Sequence, residues 1–383
     1  MQSSLQRNQK HNQTHNENEK LTLQIPDNLK PRDQQVFKES EISHKNQSKF
    51  TRSDTSLKPQ RTEPIPEHKP FSPFVVNTLK VKSEIGFHFE SASYNEKHNL
   101  IIACPGDSSL QIFDATTLLP LEGFEKRKLE TPVMGMSFFA ETETFLIGCW
   151  DGNIYTYNLS NKMLKNYERH ASSHITAITF INSVHYAFSS YDCNEIYVGD
   201  LENGDVLRFK NNFPHSLESL PKRSLLFSFL DNGFVTISRT DQLPKLPILN
   251  SVQGILWDSS TRKILSIKIN GKDFVLTTGD HFTIKIWNLT KGKMRLIKVI
   301  YAKERVYSMV YLEDCQMIAT THNTGEIKFF RLMSGKLECT LDVDLKNCQY
   351  VFLMNDKNAL GAVGWGQNII KIVQLSREHG CKD

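Results

Sequence analysis

The stretch FLIGCWDGNIYTYNL, Phe145–Leu159, holds an apolar run, an Asp-Gly turn signal and a second run that alternates along Ile154–Tyr157. Two short runs of this kind joined by a tight turn predict a β-hairpin. The turn is entered at Asp151, and a tryptophan, Trp150, directly precedes it. If the same hairpin recurs at a regular spacing, the chain is a repeat protein.

The hairpin recurs along the chain in seven rows, each with a turn position followed after four or five residues by an alternating strand. The rows are CPGDSSLQIFDA (104–115), CWDGNIYTYNL (149–159), SYDCNEIYVGDL (190–201), FLDNGFVTISRT (229–240), TGDHFTIKIWNL (278–289), HNTGEIKFFRL (322–332) and GWGQNIIKIVQL (364–375). Their turn positions are 39 to 49 residues apart. This spacing predicts an all-β, seven-bladed β-propeller, with four strands per blade that we label a to d from the centre outward.

The turn position is an aspartate in five of the rows. These predicted structural turn residues are Asp107, Asp151, Asp192, Asp231 and Asp280, and the last two rows have Thr324 and Gly366 instead. A carboxylate at this place accepts hydrogen bonds from turn amides and tolerates unusual backbone angles. Gly366 has no such group, so we expect a less constrained turn in the last blade.

From about residue 75 to 376, the repeat resembles the WD-repeat family, in which a Trp-Asp pair ends strand c of each blade. The matching pairs here are Phe113-Asp114, Tyr157-Asn158, Gly199-Asp200, Ser238-Arg239, Trp287-Asn288, Phe330-Arg331 and Val373-Gln374. Trp287-Asn288 comes closest to the family form. The visible pair Trp150-Asp151 therefore falls at the b–c turn and not at the signature position.

The two ends of the chain are expected to complete one blade together. Only eight residues follow Leu375, too few for an outer strand and its turn, and an unfinished blade would leave a bare strand edge. The segment 74–82 alternates suitably and is predicted to supply the outer strand of the seventh blade, as the family resemblance also implies. In the fourth blade, we assign the outer strand to Gln253–Asp258, after an extended loop over Asp241–Ser251.

Residues 1–73 are predicted to form a disordered, basic, polar arm, because they have few apolar residues and no sustained period. Residues 1–70 hold 12 Lys and Arg against 9 Asp and Glu, a net charge of +3, and the whole 383-residue chain carries +4. This mild charge makes nucleic acid an unlikely class of partner, and no apolar run is long enough to span a membrane. The absence of a signal-like segment and seven scattered cysteines indicate a reduced cytoplasmic chain, with the nucleus as an alternative.

No catalytic, phosphate-binding or metal-binding motif is recognised in the sequence. We therefore expect no cofactor, no metal and no enzymatic activity, but a scaffold that binds peptides or partner domains within a multiprotein complex. Two alternatives stay open. One is an RNA- or chromatin-associated adaptor that uses the basic arm, and the other is a substrate-recruiting subunit of a ubiquitin-type complex.

The residue before each turn position points to the face of the propeller that carries the b–c turns, here called the turn face. Three of these residues are large aromatics, Trp150, Tyr191 and Trp365, and aromatics are enriched at interface hot spots. We predict that they bind the partner, with Arg305 and His281 at the border of the same surface. The alternative is that each ring packs sideways onto neighbouring loops.

Overall fold

The strands of the chain form a seven-bladed β-propeller. The computed structural model describes residues 71–81, 92–124, 127–167, 171–211, 214–230, 234–253, 263–278, 282–354 and 358–377. Within these ranges there are 28 strands and one 3-10 turn, Pro221–Arg223. The strands are arranged in seven four-stranded antiparallel sheets, which confirms the predicted fold class. Residues 1–70 of the arm predicted over 1–73 lie outside the described residues.

Each of the first six sheets is built from four strands that are consecutive in the chain. In blade order these are β2 Ala92–Asn95, β3 Leu100–Ala103, β4 Ser109–Asp114 and β5 Arg127–Lys128; β6 Val133–Phe139, β7 Thr144–Cys149, β8 Ile154–Asn158 and β9 Met163–Tyr167; β10 Ile175–Phe180, β11 His185–Ser190, β12 Glu195–Asp200 and β13 Val206–Lys210; β14 Pro214–Leu220, β15 Leu225–Leu230, β16 Phe234–Arg239 and β17 Ile248–Gln253; β18 Lys263–Ile269, β19 Lys272–Thr278, β20 Thr283–Thr290 and β21 Lys293–Tyr301; β22 Val306–Leu312, β23 Met317–His322, β24 Glu326–Arg331 and β25 Leu337–Asp342.

The seventh sheet joins the two ends of the propeller. It consists of β26 Cys348–Met354, β27 Ala359–Gly364, β28 Ile369–Arg377 and, as its outer strand, β1 Phe71–Lys80. The β1 strand begins three residues earlier than the segment assigned from the sequence, so residues 71–73 belong to the sheet and not to the arm. The physical reason is that the Phe71 ring packs edge-on against Phe329 of the sixth blade, with centroids 5.1 Å apart.

The core lies between successive sheets, because strands b and c bury side chains on both of their faces. In β7, Phe145 and Ile147 pack in a cluster with the first blade, whereas Leu146 between them packs with the third blade. Alternate residues of a strand point to opposite faces of the sheet. A continuous apolar run such as FLIGC therefore fits a strand that is covered on both sides.

The outer strand of the fourth blade differs from the one expected. It is β17, Ile248–Gln253, which pairs with β16 over Ser238 to Phe234, so the assignment to Gln253–Asp258 is wrong. Both prolines of the preceding loop, Pro244 and Pro247, lie before the first residue of β17. The strand can thus start directly after Pro247, within the segment that the prolines had suggested was entirely loop. The remainder of that predicted strand, residues 254–258, lies outside the described residues.

The burial of Leu79 predicts that the pairing of β1 with β28 stabilises the propeller. Leu79 is buried and packs with Ile101 of the first blade and Ile370 and Ile372 of the seventh. We expect Leu79→Ala to lower the free energy of unfolding by about 2–4 kcal/mol, because it leaves a cavity between two blades. Urea denaturation measures this difference. Thr78→Ala, at the exposed neighbouring position, is the matched control and should change stability by less than about 0.5 kcal/mol. Equal stability of both variants would contradict a structural role for β1.

Candidate functional site

The three aromatic residues singled out from the sequence occupy equivalent places in their blades. Each follows the last residue of strand b, and each backbone N–H donates to the carbonyl of the residue directly before strand a of the same blade. These bonds run from Trp150 to Pro132 (2.9 Å), from Tyr191 to His174 (3.0 Å) and from Trp365 to Asn347 (2.9 Å). Backbone hydrogen bonds therefore fix where these three residues lie, and their side chains take no part in these bonds.

All three aromatic side chains are exposed on the turn face. The exposed fraction is 53% for Trp150, 56% for Tyr191 and 39% for Trp365. In the sixth blade, the residue directly after strand b is Asn323, which is polar and also exposed. The position is therefore exposed in all four of these blades, and it carries a large aromatic in the second, third and seventh.

A histidine that the sequence analysis did not select links two of these aromatics. The His174 ring stacks on Trp150 with centroids 4.5 Å apart and an interplanar angle of 6°, and on Tyr191 at 4.7 Å and 22°. We call these three residues the aromatic stack. Trp150 and Tyr191 thus pack sideways onto a residue of a neighbouring connection and remain about half exposed. Trp365 belongs to the seventh blade, and the first blade lies between it and the stack.

The His174 ring of the stack is uncharged at neutral pH. Burial lowers the pKa of His174 below its ordinary value, although the nearby Asp192 carboxylate acts in the opposite direction. The only sequence signal for His174 is its place directly before an inner strand, where a loop side chain reaches the turn face. A lone histidine in the segment SSH carries no other pattern that would distinguish it.

The turn aspartates bond mainly within their own turns. The Oδ1 atom of Asp107 accepts from the backbone N–H of Ser109 at 3.1 Å, and that of Asp151 accepts from the N–H of Asn153 at 3.0 Å. Asn153 Nδ2 also donates to Asp151 at 2.7 Å and to Glu130 at 3.3 Å. Asp192 is exposed, and Asp231 and Asp280 lie outside the described residues.

The last two turns are held by other side chains. Thr324 Oγ1 donates to Glu304 Oε2 at 3.0 Å. In the seventh blade, Gly366 has a positive φ of 68°, and the next residue, Gln367, accepts the backbone N–H of Lys346 through Oε1 at 3.1 Å. A side chain thus ties this turn to the segment before strand a, although the turn position itself is a glycine.

At the sixth blade, the border of the turn face contains a buried polar cluster. His322 is fully buried, with Nε2 2.8 Å from Thr320 Oγ1 and Nδ1 3.9 Å from Glu304 Oε2. Lys328 Nζ lies 3.0 Å from Glu304 Oε1. Burial, with the Lys328 charge as a second cause, lowers the pKa of His322 to about 4. Burial alone would raise the pKa of Glu304, but hydrogen bonds from Lys328 and Thr324 outweigh it and hold this pKa below its usual value.

Of the two residues predicted at the border of the turn face, Arg305 and His281, the structure describes only Arg305. Arg305 is half-buried directly before β22, and His281 lies outside the described residues. Among the described residues, no group of three or more His, Cys, Asp or Glu is placed to hold a metal ion. No helix in the described ranges is long and apolar enough to cross a bilayer.

The sheets and turns define a seven-bladed β-propeller of the WD-repeat-like class, with a divergent form of the signature. Its nearest approach to the family pair, Trp287, donates from Nε1 to Thr277 Oγ1 at 3.0 Å in the interior of the fifth blade. The family model described as RSE1/DDB1/CPSF1 second beta-propeller matches residues 88–348, more than half of the chain. The protein belongs to this family.

Comparison with solved structures agrees with the propeller fold. The chain is similar to the Cps50 (Swd1) β-propeller domain of Myceliophteria thermophila, with a TM-score of 0.67 and 12% sequence identity over 80% of this chain and 100% of that one. At this identity the likeness shows the fold alone. No curated protein gives a significant match.

The buried cluster predicts a loss of stability in mild acid. The folded chain takes up a proton on His322 only near pH 4, whereas the ordinary pKa is 6.5. The unfolded chain therefore binds this proton more strongly, and the free energy of unfolding falls as the pH drops from 6.5 towards 4, by up to about 3 kcal/mol. We expect His322→Gln to flatten this decline in urea denaturation curves measured between pH 7 and 4.5. An unchanged slope in the variant would show that other groups cause the decline.

Proposed function

We propose that the protein is a non-enzymatic interaction scaffold, which binds a peptide or a partner domain on its turn face. The observation that carries the proposal is the aromatic stack, Trp150–His174–Tyr191, whose outer rings are about half exposed although they sit on backbone positions fixed by hydrogen bonds. Rigid, exposed aromatic rings supply large contact area at a low cost in side-chain entropy. Trp365 lies on the same turn face, on the seventh blade.

The state of the turn carboxylates supports binding rather than catalysis. Asp107 and Asp151 both accept hydrogen bonds from the residue two positions further on, so their periodicity follows from turn structure. Carboxylates that served as a catalytic acid and base would instead converge on one reacting atom. The family membership also supports a propeller that acts as a binding platform, although a fold alone does not define a function.

The charges around the stack favour a basic segment on the partner. Asp151 and Asp192 follow Trp150 and Tyr191 directly in the chain, and Asn153 holds Glu130 close to Asp151. An aromatic face attracts the cationic group of Arg or Lys, and nearby carboxylates strengthen this attraction. We therefore expect the bound segment to place an Arg or Lys side chain against the exposed ring of Trp150 or Tyr191.

The proposal predicts that the aromatic residues are required for partner binding. The triple variant Trp150→Ala/Tyr191→Ala/Trp365→Ala should recover a defined set of partner proteins at least tenfold less efficiently than the wild type, because each truncation removes a candidate hot spot. Affinity purification from native cells with quantitative mass spectrometry measures the recovery. A thermal melt of each purified variant first establishes that both are folded.

The matched control is Leu119→Ala/Met163→Ala, which removes two exposed apolar side chains at the c–d connections of the first and second blades. These connections lie on the face opposite the turn face. The control variant should leave the partner set unchanged. If the triple variant also recovers the full set, the aromatics have a structural role and the proposal fails. Loss of the set in both variants would show that exposed apolar surface in general, and not the turn face, retains the partners.

A further inference from the structure

The outer edge of the fifth blade differs from the edges of its neighbours. Its last strand, β21, has nine residues, whereas the outer strands β9, β13, β17 and β25 have five or six. Among the described residues, β21 pairs only with β20, along one side. The other side thus presents a long row of backbone N–H and C=O groups, which is the usual template for an added strand.

Apolar side chains are exposed along this edge. Leu296 and Ile297 are consecutive and 43% and 47% exposed. A β-bulge causes this arrangement, because Ile286 pairs with Lys298 and Trp287 with Leu296, which leaves Ile297 without a partner in the ladder. The exposed Leu249 of β17 lies close by, since a Cβ atom at Gly292 would come within 3.1 Å of its side chain. An exposed apolar residue of the fourth blade therefore lies beside the turn that leads into β21.

The edge is also strongly basic. Residues 281–303 contain six Lys and Arg and no Asp or Glu. Three of the six, Lys293, Arg295 and Lys298, lie in β21, and within the described part of the chain no ion pair is found for any of them. Lys298 donates to the backbone carbonyl of Met333 at 2.8 Å. The positive charge of this strand is therefore not neutralised by neighbouring described side chains.

We propose that the outer edge of β21 is a docking surface, separate from the turn face, that takes an acidic, extended segment of a partner protein as a fifth strand of the sheet. Backbone hydrogen bonds to an added strand supply affinity, and the side chains opposite it supply specificity. Opposite charges that face each other across strands are stabilising, so Glu or Asp on the added strand complements Lys293, Arg295 and Lys298. Its apolar residues cover Leu296 and Ile297.

Charge decides between this occupant and two others. A second copy of the chain would place one basic β21 against another, and like charges directly opposite are destabilising. Residues 1–70 of the same chain carry a net charge of +3, so they are a poor electrostatic match as a whole. Nucleic acid would be attracted by the charge, but it would use neither the backbone groups of the edge nor the side chains of Leu296 and Ile297.

The experiment uses the purified full chain and three fluorescent probes of similar length at low salt. They are a nine-residue peptide that alternates glutamate with valine, the same peptide with lysine in place of glutamate, and an oligothymidine. Fluorescence anisotropy measures binding, and hydrogen exchange of 293–301 reports an added strand. We expect only the acidic peptide to bind, with slowed exchange in 293–301 and not in the β25 segment 337–342.

Two variants separate the contributions to this binding. Lys293→Glu/Arg295→Glu/Lys298→Glu should weaken the acidic peptide at least tenfold, and Leu296→Ser/Ile297→Ser at least threefold. Leu337→Ser, at an exposed apolar position on the acidic edge of the sixth blade, is the matched control and should change nothing. Each change lies at an exposed or edge position, and thermal melts establish that each variant is folded.

Several outcomes would overturn the proposal. They are no measurable binding of the acidic peptide, equal binding of the lysine peptide, unchanged exchange in 293–301, or full binding by the charge-reversed variant. Oligothymidine binding that disappears in the charge-reversed variant and persists in the serine variant would assign the strand to nucleic acid instead.

Discussion

The propeller depends on hydrogen bonds between its b–c turns and the connections between blades, which the structure shows in the second, third and seventh blades. In the second blade, the N–H of Trp150 donates to Pro132, in the connection that enters the blade. On its other side, Gly152 adopts a φ of 85° and lies so close to Ala171, in the connection that leaves the blade, that a Cβ atom would collide with the carbonyl oxygen of that residue. Gly325 has the same relation to Leu345 in the sixth blade. The turn of the second blade is thus fixed against two connections, and these contacts set this blade relative to its neighbours.

The aromatic stack follows from the same arrangement, because its three side chains belong to two b–c turns and to the connection between their blades. His174 belongs to the connection between the second and third blades, and the turns of these blades place Trp150 and Tyr191 on its two sides. Because backbone bonds already hold the residue before each turn position, its side chain is free to vary without loss of the fold. That freedom explains how the same position carries a polar residue, Asn323, in one blade and a tryptophan in another.

The spacing of the rows was sufficient to predict seven blades, because a turn carboxylate and a two-residue alternation are both local properties of the sequence. The fourth blade shows the limit of this reasoning. Strand β17 has a weak alternation, and only its pairing with β16, a nonlocal contact, distinguishes it from the loop before it. The same holds for β5, whose two residues form a strand through pairing with Ser109 and Leu110. His174 was missed for a related reason, since its stacking partners lie in two different blades and no single row contains all three rings.

A net charge of +4 suggests little about partners, but this nearly balanced total conceals a separation of charge within the fold. Asp107, Asp151 and Asp192 lie at the turns of the first three blades, whereas the segment from 281 to 303, in the fifth, has no acidic residue. At physiological ionic strength, charges separated by more than about 8 Å are largely screened at the surface. A partner therefore responds to the charge of the blade that it contacts and not to the net charge of the chain. Because each blade is held by backbone bonds that tolerate many side chains, one propeller can keep surfaces of opposite charge on different blades without cost to its fold.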